Sequence, residues 1–134
     1  SARNKGKDSR VISDVQQLRT EAESKYDGTN YLAALTASNS TKTGRALGAA
    51  GQGISSSVGI QLADDAKNNG GDMFAITNAG PTAYAIYGLL PSTAGANKYF
   101  CIASDGSTQQ STATVYADSA ALIARITAGG VLCQ

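Results

Sequence analysis

The chain has 134 residues, with 11 Lys and Arg against 10 Asp and Glu and a formal net charge of +1. A balance this close to neutral gives no strong nucleic-acid signal and argues against an acidic-lipid partner. The absence of His excludes an imidazole base and a His-bound zinc ion, and two Cys alone cannot build a structural zinc site. The length predicts a single domain over residues 1–134.

The first 26 residues predict a long amphipathic helix. Its apolar residues recur at steps of four, three, four and four, which is one stripe of an α-helix. The stripe comprises Val11, Val15, Leu18, Ala22 and Tyr26. Because such a stripe needs a partner surface, we expect it to pack against the sheet predicted further along the chain.

The remaining positions of this helix are mostly polar. The opposite face carries Arg10, Asp14, Gln17, Glu21 and Lys25. Charge is depleted at interface cores, so we expect this face to make polar contacts only. Positive charges also crowd the helix start, where the helix dipole disfavours them. Two interpretations of that basic start stay open, a frayed arm or a helix that continues upstream of Ser1.

Residues 27–72 predict a connecting region that contains one short helix. Asp27 and Gly28 form a turn signal, and Gly28 can adopt the positive φ of a helix C-cap. Residues 31–35 are apolar and predict either one helical turn or a loop packed on the first helix. Residues 36–53 predict a surface loop, because their glycines lack the Gly-Lys-Ser/Thr signature of a phosphate loop.

The short helix is predicted from about residue 55 to residue 68, ended by the pair Gly70-Gly71. Its apolar residues step by four and are Ile54, Val58, Leu62 and Ala66. Adjacent Asp64 and Asp65 would point about 100° apart on this helix. A solvated helix face is therefore favoured over a metal site.

Residues 73–134 change to the alternating period of β-strands. Strands are predicted at residues 73–77, 82–90, 98–104 and 112–117, with turns at 78–81 and 105–107 and a short helix from Ser119. The second strand is apolar and aromatic on both faces, so we expect it at the centre of the sheet. The order predicts an α+β fold, in which a long N-terminal amphipathic helix packs on a small antiparallel sheet.

The run SARNKGKDSRVISDVQQLRTEAESKY resembles the segment after the hydrophobic N-terminus of type IV pilins and the related pseudopilins of type II secretion systems. A weaker similarity is the strand that ends YFC at Cys101, with Cys133 near the C-terminus. In that family a processed, methylated Phe begins an apolar helix, which turns amphipathic and carries a small antiparallel sheet. The resemblance implies that residues 1–26 are the C-terminal half of the spine helix and that the apolar half and leader peptide lie upstream.

The function that this resemblance implies is that of a structural subunit, not an enzyme. The subunit would assemble into a type IV pilus, an extracellular filament for adhesion, surface motility or DNA uptake. Its partners would be copies of itself, other pilins and the inner-membrane assembly machinery, and it would be anchored in the membrane through the upstream helix before assembly. Two alternatives stay open, a pseudopilin of a type II secretion system and a minor pilin that acts as a surface binding module.

The resemblance also implies two sites in residues 73–134, and no cofactor. An extracytoplasmic setting and an even Cys count favour a disulfide between Cys101 and Cys133 over two buried thiols. Some pseudopilins hold calcium in the loops of this sheet, and Asp105, Ser107 and Asp118 offer oxygen ligands in the corresponding region. The alternative for Asp105 is an ordinary Asp-Gly turn.

Overall fold

The computed structural model describes residues 2–35, 53–78, 80–91, 99–110 and 133. Two helices are followed by four strands in this part of the chain. They are α1 (Ala2–Ser24), α2 (Ser57–Asn68), β1 (Asp72–Thr77), β2 (Tyr84–Leu89), β3 (Tyr99–Ala103) and β4 (Thr108–Gln110). The predicted α+β class is confirmed, with a helix packed on a four-stranded antiparallel sheet. In the described ranges, no helix has both the length and the apolar composition needed to cross a membrane.

The four described strands form an antiparallel meander in the order β1-β2-β3-β4. Tyr87 of β2 lies opposite Phe74 of β1 and Cys101 of β3. β2 is therefore an inner strand, as its apolar and aromatic residues predicted. The predicted turn at 105–107 precedes β4. Outside the described residues lie positions 36–52 of the loop predicted at 36–53, the predicted strand at 112–117 and the predicted helix from Ser119.

One face of the sheet packs against α1. Four residues of the predicted helix stripe are fully buried there, and these are Val11, Val15, Leu18 and Ala22. Tyr26 does not belong to this face, because α1 ends at Ser24 and the Tyr26 side chain is 42% exposed. Its ring lies 4.7 Å from that of Tyr31 and packs outside the helix–sheet contact. Including Tyr26 in the stripe was therefore wrong.

The chain leaves α1 through a turn closed by Asp27. One oxygen of its carboxylate accepts hydrogen bonds from the backbone N–H groups of Thr29 and Asn30, both at 2.8 Å. Gly28 has the predicted positive φ, +91°, but it lies inside this turn and not at the helix C-cap. Further along, Leu35 donates its backbone N–H to the carbonyl of Tyr31, so residues 31–35 make one helical turn.

The buried face of α2 matches the predicted stripe in part. Ile54 and Ala66 are buried as predicted, and Leu62 is partly buried against the core. Val58 is 46% exposed, and the small residues Gly59 and Ala63 are buried instead. A Cβ on Gly59 would lie only 3.0 Å from a methyl group of Leu18. α2 therefore lies so close to α1 that a larger side chain does not fit at residue 59, and Val58 turns outward.

The opposite face of the sheet is also buried. It carries Phe74, Ile76, Ala85, Tyr87, Tyr99, Cys101 and Ala103. The rings of Phe74 and Tyr87 stack there with their centroids 5.7 Å apart. Cys133 packs against this face and is bonded to Cys101, with 5.7 Å between the Cα atoms. The disulfide implied by the resemblance is present.

The backbone of β2 allows α1 to approach the sheet at Gly88. A Cβ at this position would lie 2.7 Å from Cγ2 of Val15 and 2.8 Å from Cγ1 of Val11. Such distances are too short for a real contact, and β-branched side chains cannot easily rotate out of the way. The two valines therefore rest on the backbone of β2 because residue 88 has no side chain.

This contact predicts opposite effects for two Gly→Ala changes. Gly88→Ala should lower the free energy of unfolding by about 1–3 kcal/mol, because the new methyl group overpacks the helix–sheet contact. Gly6→Ala is the matched control in α1, where a Cβ would meet nothing within 4 Å. It should raise the free energy of unfolding by up to about 1 kcal/mol, since Ala favours the helix. Urea unfolding measures both.

A double-variant cycle shows whether the overpacking involves Val15. The variant that combines Gly88→Ala with Val15→Ala should lose less stability than the sum of the two single changes, because each change makes room for the other. Strictly additive losses, or a Gly88→Ala variant as stable as the wild type, would show that α1 does not approach β2 this closely.

The disulfide should make stability depend on reductant. Cys101 and Cys133 are 32 residues apart in sequence, and chain-entropy arguments give about 3–4 kcal/mol for closing such a loop. Unfolding in urea with and without a reductant should differ by about this amount in the wild type. The double variant Cys101→Ala/Cys133→Ala is the control and should show no difference. Two alkylatable thiols in the unreduced, denatured protein would contradict the bond.

Candidate functional site

Two of the three proposed calcium ligands, Asp105 and Ser107, lie in one turn and are hydrogen-bonded to each other. Asp105 Oδ1 accepts hydrogen bonds from the backbone N–H of Ser107 at 2.9 Å and from its hydroxyl at 2.7 Å. These bonds lower the pKa of Asp105, and the positive charge of Arg19 lowers it further. A nearby guanidinium disfavours a second cation at this carboxylate.

Asp118, the third proposed ligand, lies outside the described residues. Among the residues that are described, no three His, Cys, Asp or Glu side chains form a group that could hold a metal ion. Calcium binding at Asp105, Ser107 and Asp118 stays a prediction.

Glu23, near the end of α1, joins the helix to two other parts of the fold. Its Oε1 accepts a hydrogen bond from the hydroxyl of Tyr84 in β2 at 2.6 Å. The hydroxyl of Tyr31 lies 3.1 Å and 3.3 Å from the two carboxylate oxygens. The two tyrosine rings meet edge to face with their centroids 4.9 Å apart. Glu23 therefore fixes the end of α1 to β2 and to residues 31–35.

Burial keeps both of these phenols protonated. It raises the pKa of Tyr31 to about 12 and also raises that of Tyr84, and the hydrogen bond to the Glu23 carboxylate adds to each shift. A protonated phenol can donate to a carboxylate but is a poor base at neutral pH. The cluster of Glu23, Tyr31 and Tyr84 is thus suited to holding the helix in place, and not to proton abstraction.

A second charged cluster joins α1 to α2. The guanidinium of Arg10 binds the Asp65 carboxylate through two bonds, Nε to Oδ2 at 3.0 Å and Nη2 to Oδ1 at 3.1 Å. Asp14 lies one turn after Arg10 and is only 3% exposed. We expected Asp14 on the polar outer face of α1; the structure instead buries it at the contact with α2.

The two carboxyl groups of this cluster have opposite pKa shifts. Burial raises the pKa of Asp14 to about 7, and the hydrogen bond to Asp65 and its negative charge add to the shift. Hydrogen bonds from Asp14 and Arg10 lower the pKa of Asp65. When the two titrate as a pair, the shared proton therefore resides on Asp14, which donates it to the ionised Asp65.

A shallow groove of about 300 Å³ runs along the outside of the two helices. It is lined by Gln17, Thr20, Glu21, Ser24, Val58 and Leu62. The side of the groove formed by α1 is polar. The side formed by α2 is apolar and consists of Val58 and Leu62, two residues of the predicted α2 stripe. A groove of this size could accept a side chain of a partner.

Sequence reasoning missed Asp14 and Glu23 because their partners are far away in the chain. Tyr84 is 61 residues from Glu23, and Asp65 is 55 residues from the Arg10 that it binds. One local signal was available for Asp14. It lies three residues after Val11 and four before Leu18, and residues at these spacings are neighbours on one side of a helix, so Asp14 lies beside the buried stripe.

No protein-family model, curated protein or solved structure matches the chain. Its functional interpretation therefore rests on the fold, the two charged clusters and the pattern of its first 26 residues.

The Glu23 cluster predicts that removing the hydroxyl group of Tyr84 destabilises the folded protein. Tyr84→Phe should lower the free energy of unfolding by about 1.5–3 kcal/mol, because it removes a part-buried hydrogen bond to a charged acceptor. Tyr26→Phe is the matched control, since Tyr26 is exposed, and it should change stability by less than about 0.5 kcal/mol. Equal effects of the two changes would show that Glu23 does not anchor the helix.

Proposed function

We propose that this protein is a structural subunit of an extracellular filament of the type IV pilus class. It acts by assembly and not by catalysis. The observation that carries the proposal is the placement of α1, a helix of 23 residues. The sheet and α2 cover one side of this helix, and its other side is polar and exposed.

The layout of the described residues supports this proposal. In the pilins that the sequence resembles, the second half of the spine helix carries a small antiparallel sheet. Here α1 carries a four-stranded meander, with its stripe residues Val11 and Val15 against β2. The bond between Cys101 and Cys133 suits an extracytoplasmic setting, where disulfides persist.

The exposed side of α1 has the character of a weak contact surface. Gln16, Gln17 and Thr20 are exposed on it and are polar. A filament repeats one heterologous contact along a screw axis, and that contact needs substantial buried area. In the family, the apolar half of the spine helix supplies this area. The exposed side of α1 would then add polar contacts between neighbouring subunits.

The charged clusters support assembly over catalysis. Asp14, whose pKa of about 7 would suit a general base, is buried between two helices and cannot contact a substrate. Tyr31 and Tyr84 are protonated donors to Glu23. The Glu23 cluster joins α1 to the sheet, which is the contact that a filament subunit must keep rigid.

Deleting the gene tests the proposal in cells. Electron microscopy should show surface filaments on the wild type, none on the deletion strain, and filaments again after complementation. Gold-labelled antibody against the globular domain should bind along the whole filament. Labelling at the tip alone would indicate a minor pilin, and loss of protein secretion with normal filaments would indicate a pseudopilin. Unchanged filaments and unchanged secretion would contradict the proposal.

A further inference from the structure

The contact between α1 and α2 contains two carboxyl groups and one guanidinium, and Asp14 is the buried one: it is 3% exposed, whereas the side chains of Arg10 and Asp65 are 62% and 29% exposed. Arg10 is the basic group, and both of its bonds go to Asp65. Asp14 lies beside this pair, and its Oδ2 is buried without a hydrogen-bond partner among the described residues. A proton on Asp14 removes its negative charge and gives it a donor for the Asp65 carboxylate.

An ionised Asp14 would be compensated only in part, because Arg10, the basic group that acts on it, already donates both of its hydrogen bonds to Asp65. The neighbouring packing is tight, since Leu18 of α1 would contact any Cβ placed on Gly59 of α2. Burying a carboxylate without a paired charge is costly, and a second carboxylate nearby increases the cost. Ionisation of Asp14 therefore favours moving the two helices apart, so that water reaches the carboxylate.

We propose that the α1–α2 contact is a proton-dependent clasp, closed while Asp14 carries its proton and loosened when Asp14 ionises. The clasp is a regulatory device within the domain and does not depend on the proposed filament function. It would make the packing of α2 against α1 depend on the pH of the surroundings.

The charged groups that act on Asp14 come from both helices. They are Asp65 from α2 and Arg10 from α1. The inner strand β2, which packs under the same part of α1, contributes no charged side chain. β1 contributes Asp72. Burial raises the pKa of Asp72, and the hydrogen bond from the Met73 N–H and the positive charge of Lys67 offset this increase only in part. Asp72 is the one other buried acid in the described core, so the test has to separate it from Asp14.

The sign of the pH effect follows from these shifts. The pKa of Asp14 is raised from 3.8 to about 7 in the folded protein. Its contribution to stability is complete below about pH 4 and is lost progressively as the pH rises to about 7. The lowered pKa of Asp65 acts in the opposite direction, but only below about pH 4. From pH 5 to pH 8 the stability of the folded protein therefore falls, because the loss of the stabilising contribution of Asp14 outweighs any change in that of Asp65.

The first measurement is the unfolding equilibrium of three proteins at pH 5 and pH 8. For the wild type, linkage predicts a rise in the unfolding constant of about 10- to 100-fold. Asp14→Asn keeps a donor for Asp65 but cannot ionise, so its unfolding constant should rise much less than that of the wild type, and the rise that remains measures Asp72. Asp64→Asn is the matched control on α2 and should follow the wild type. Equal pH dependence in all three proteins would overturn the clasp.

The second measurement needs no variant. Carbon NMR of the side-chain carboxyl groups should show Asp14 titrating near pH 7, separately from Asp72. Hydrogen exchange, corrected for its intrinsic pH dependence, should show α2 losing protection above that pH before β2 does. An Asp14 midpoint below pH 5, or protection of α2 that does not change with its titration, would overturn the proposal even if Asp14→Asn fails to fold.

Discussion

The close approach of α1 to β2 at Gly88 is the contact on which the rest of the structure depends. With no side chain at residue 88, Val11 and Val15 reach the strand backbone, and the helix lies deep against the sheet. Asp14, next to Val15 in the sequence, is turned toward α2 by the helical rotation and becomes buried. The same depth brings Glu23 within hydrogen-bonding distance of Tyr84.

Two charged clusters then hold α1, and they respond to pH differently. Near the middle of the helix, Arg10, Asp14 and Asp65 join α1 to α2, and the raised pKa of Asp14 makes this link sensitive near neutral pH. Near its end, the protonated phenols bind Glu23, and their raised pKa values move any sensitivity to strongly alkaline pH. Near neutral pH, the contact of α1 with the sheet therefore does not change, whereas the contact of α1 with α2 depends on pH.

Local patterns predicted the backbone well but could not predict which side chains meet. The stripe identified Val11 and Leu18 as core residues, and alternation identified β2 as an inner strand. The stripe of the second helix was right for Ile54 and Ala66 but wrong for Val58, because burial of Gly59 instead of Val58 depends on how closely another helix approaches. Neither charged cluster was predicted, since each joins residues more than 50 positions apart, where no periodic pattern acts.

The most direct test of the central claim is a cryo-electron microscopy structure of filaments sheared from the cell surface. The account predicts that this chain repeats along the filament, with α1 toward the axis and the four-stranded sheet toward the outside. It also predicts that α1 remains docked on β2 in every subunit. Filaments that lack this chain, or that contain it with α1 facing the solvent, would contradict the account.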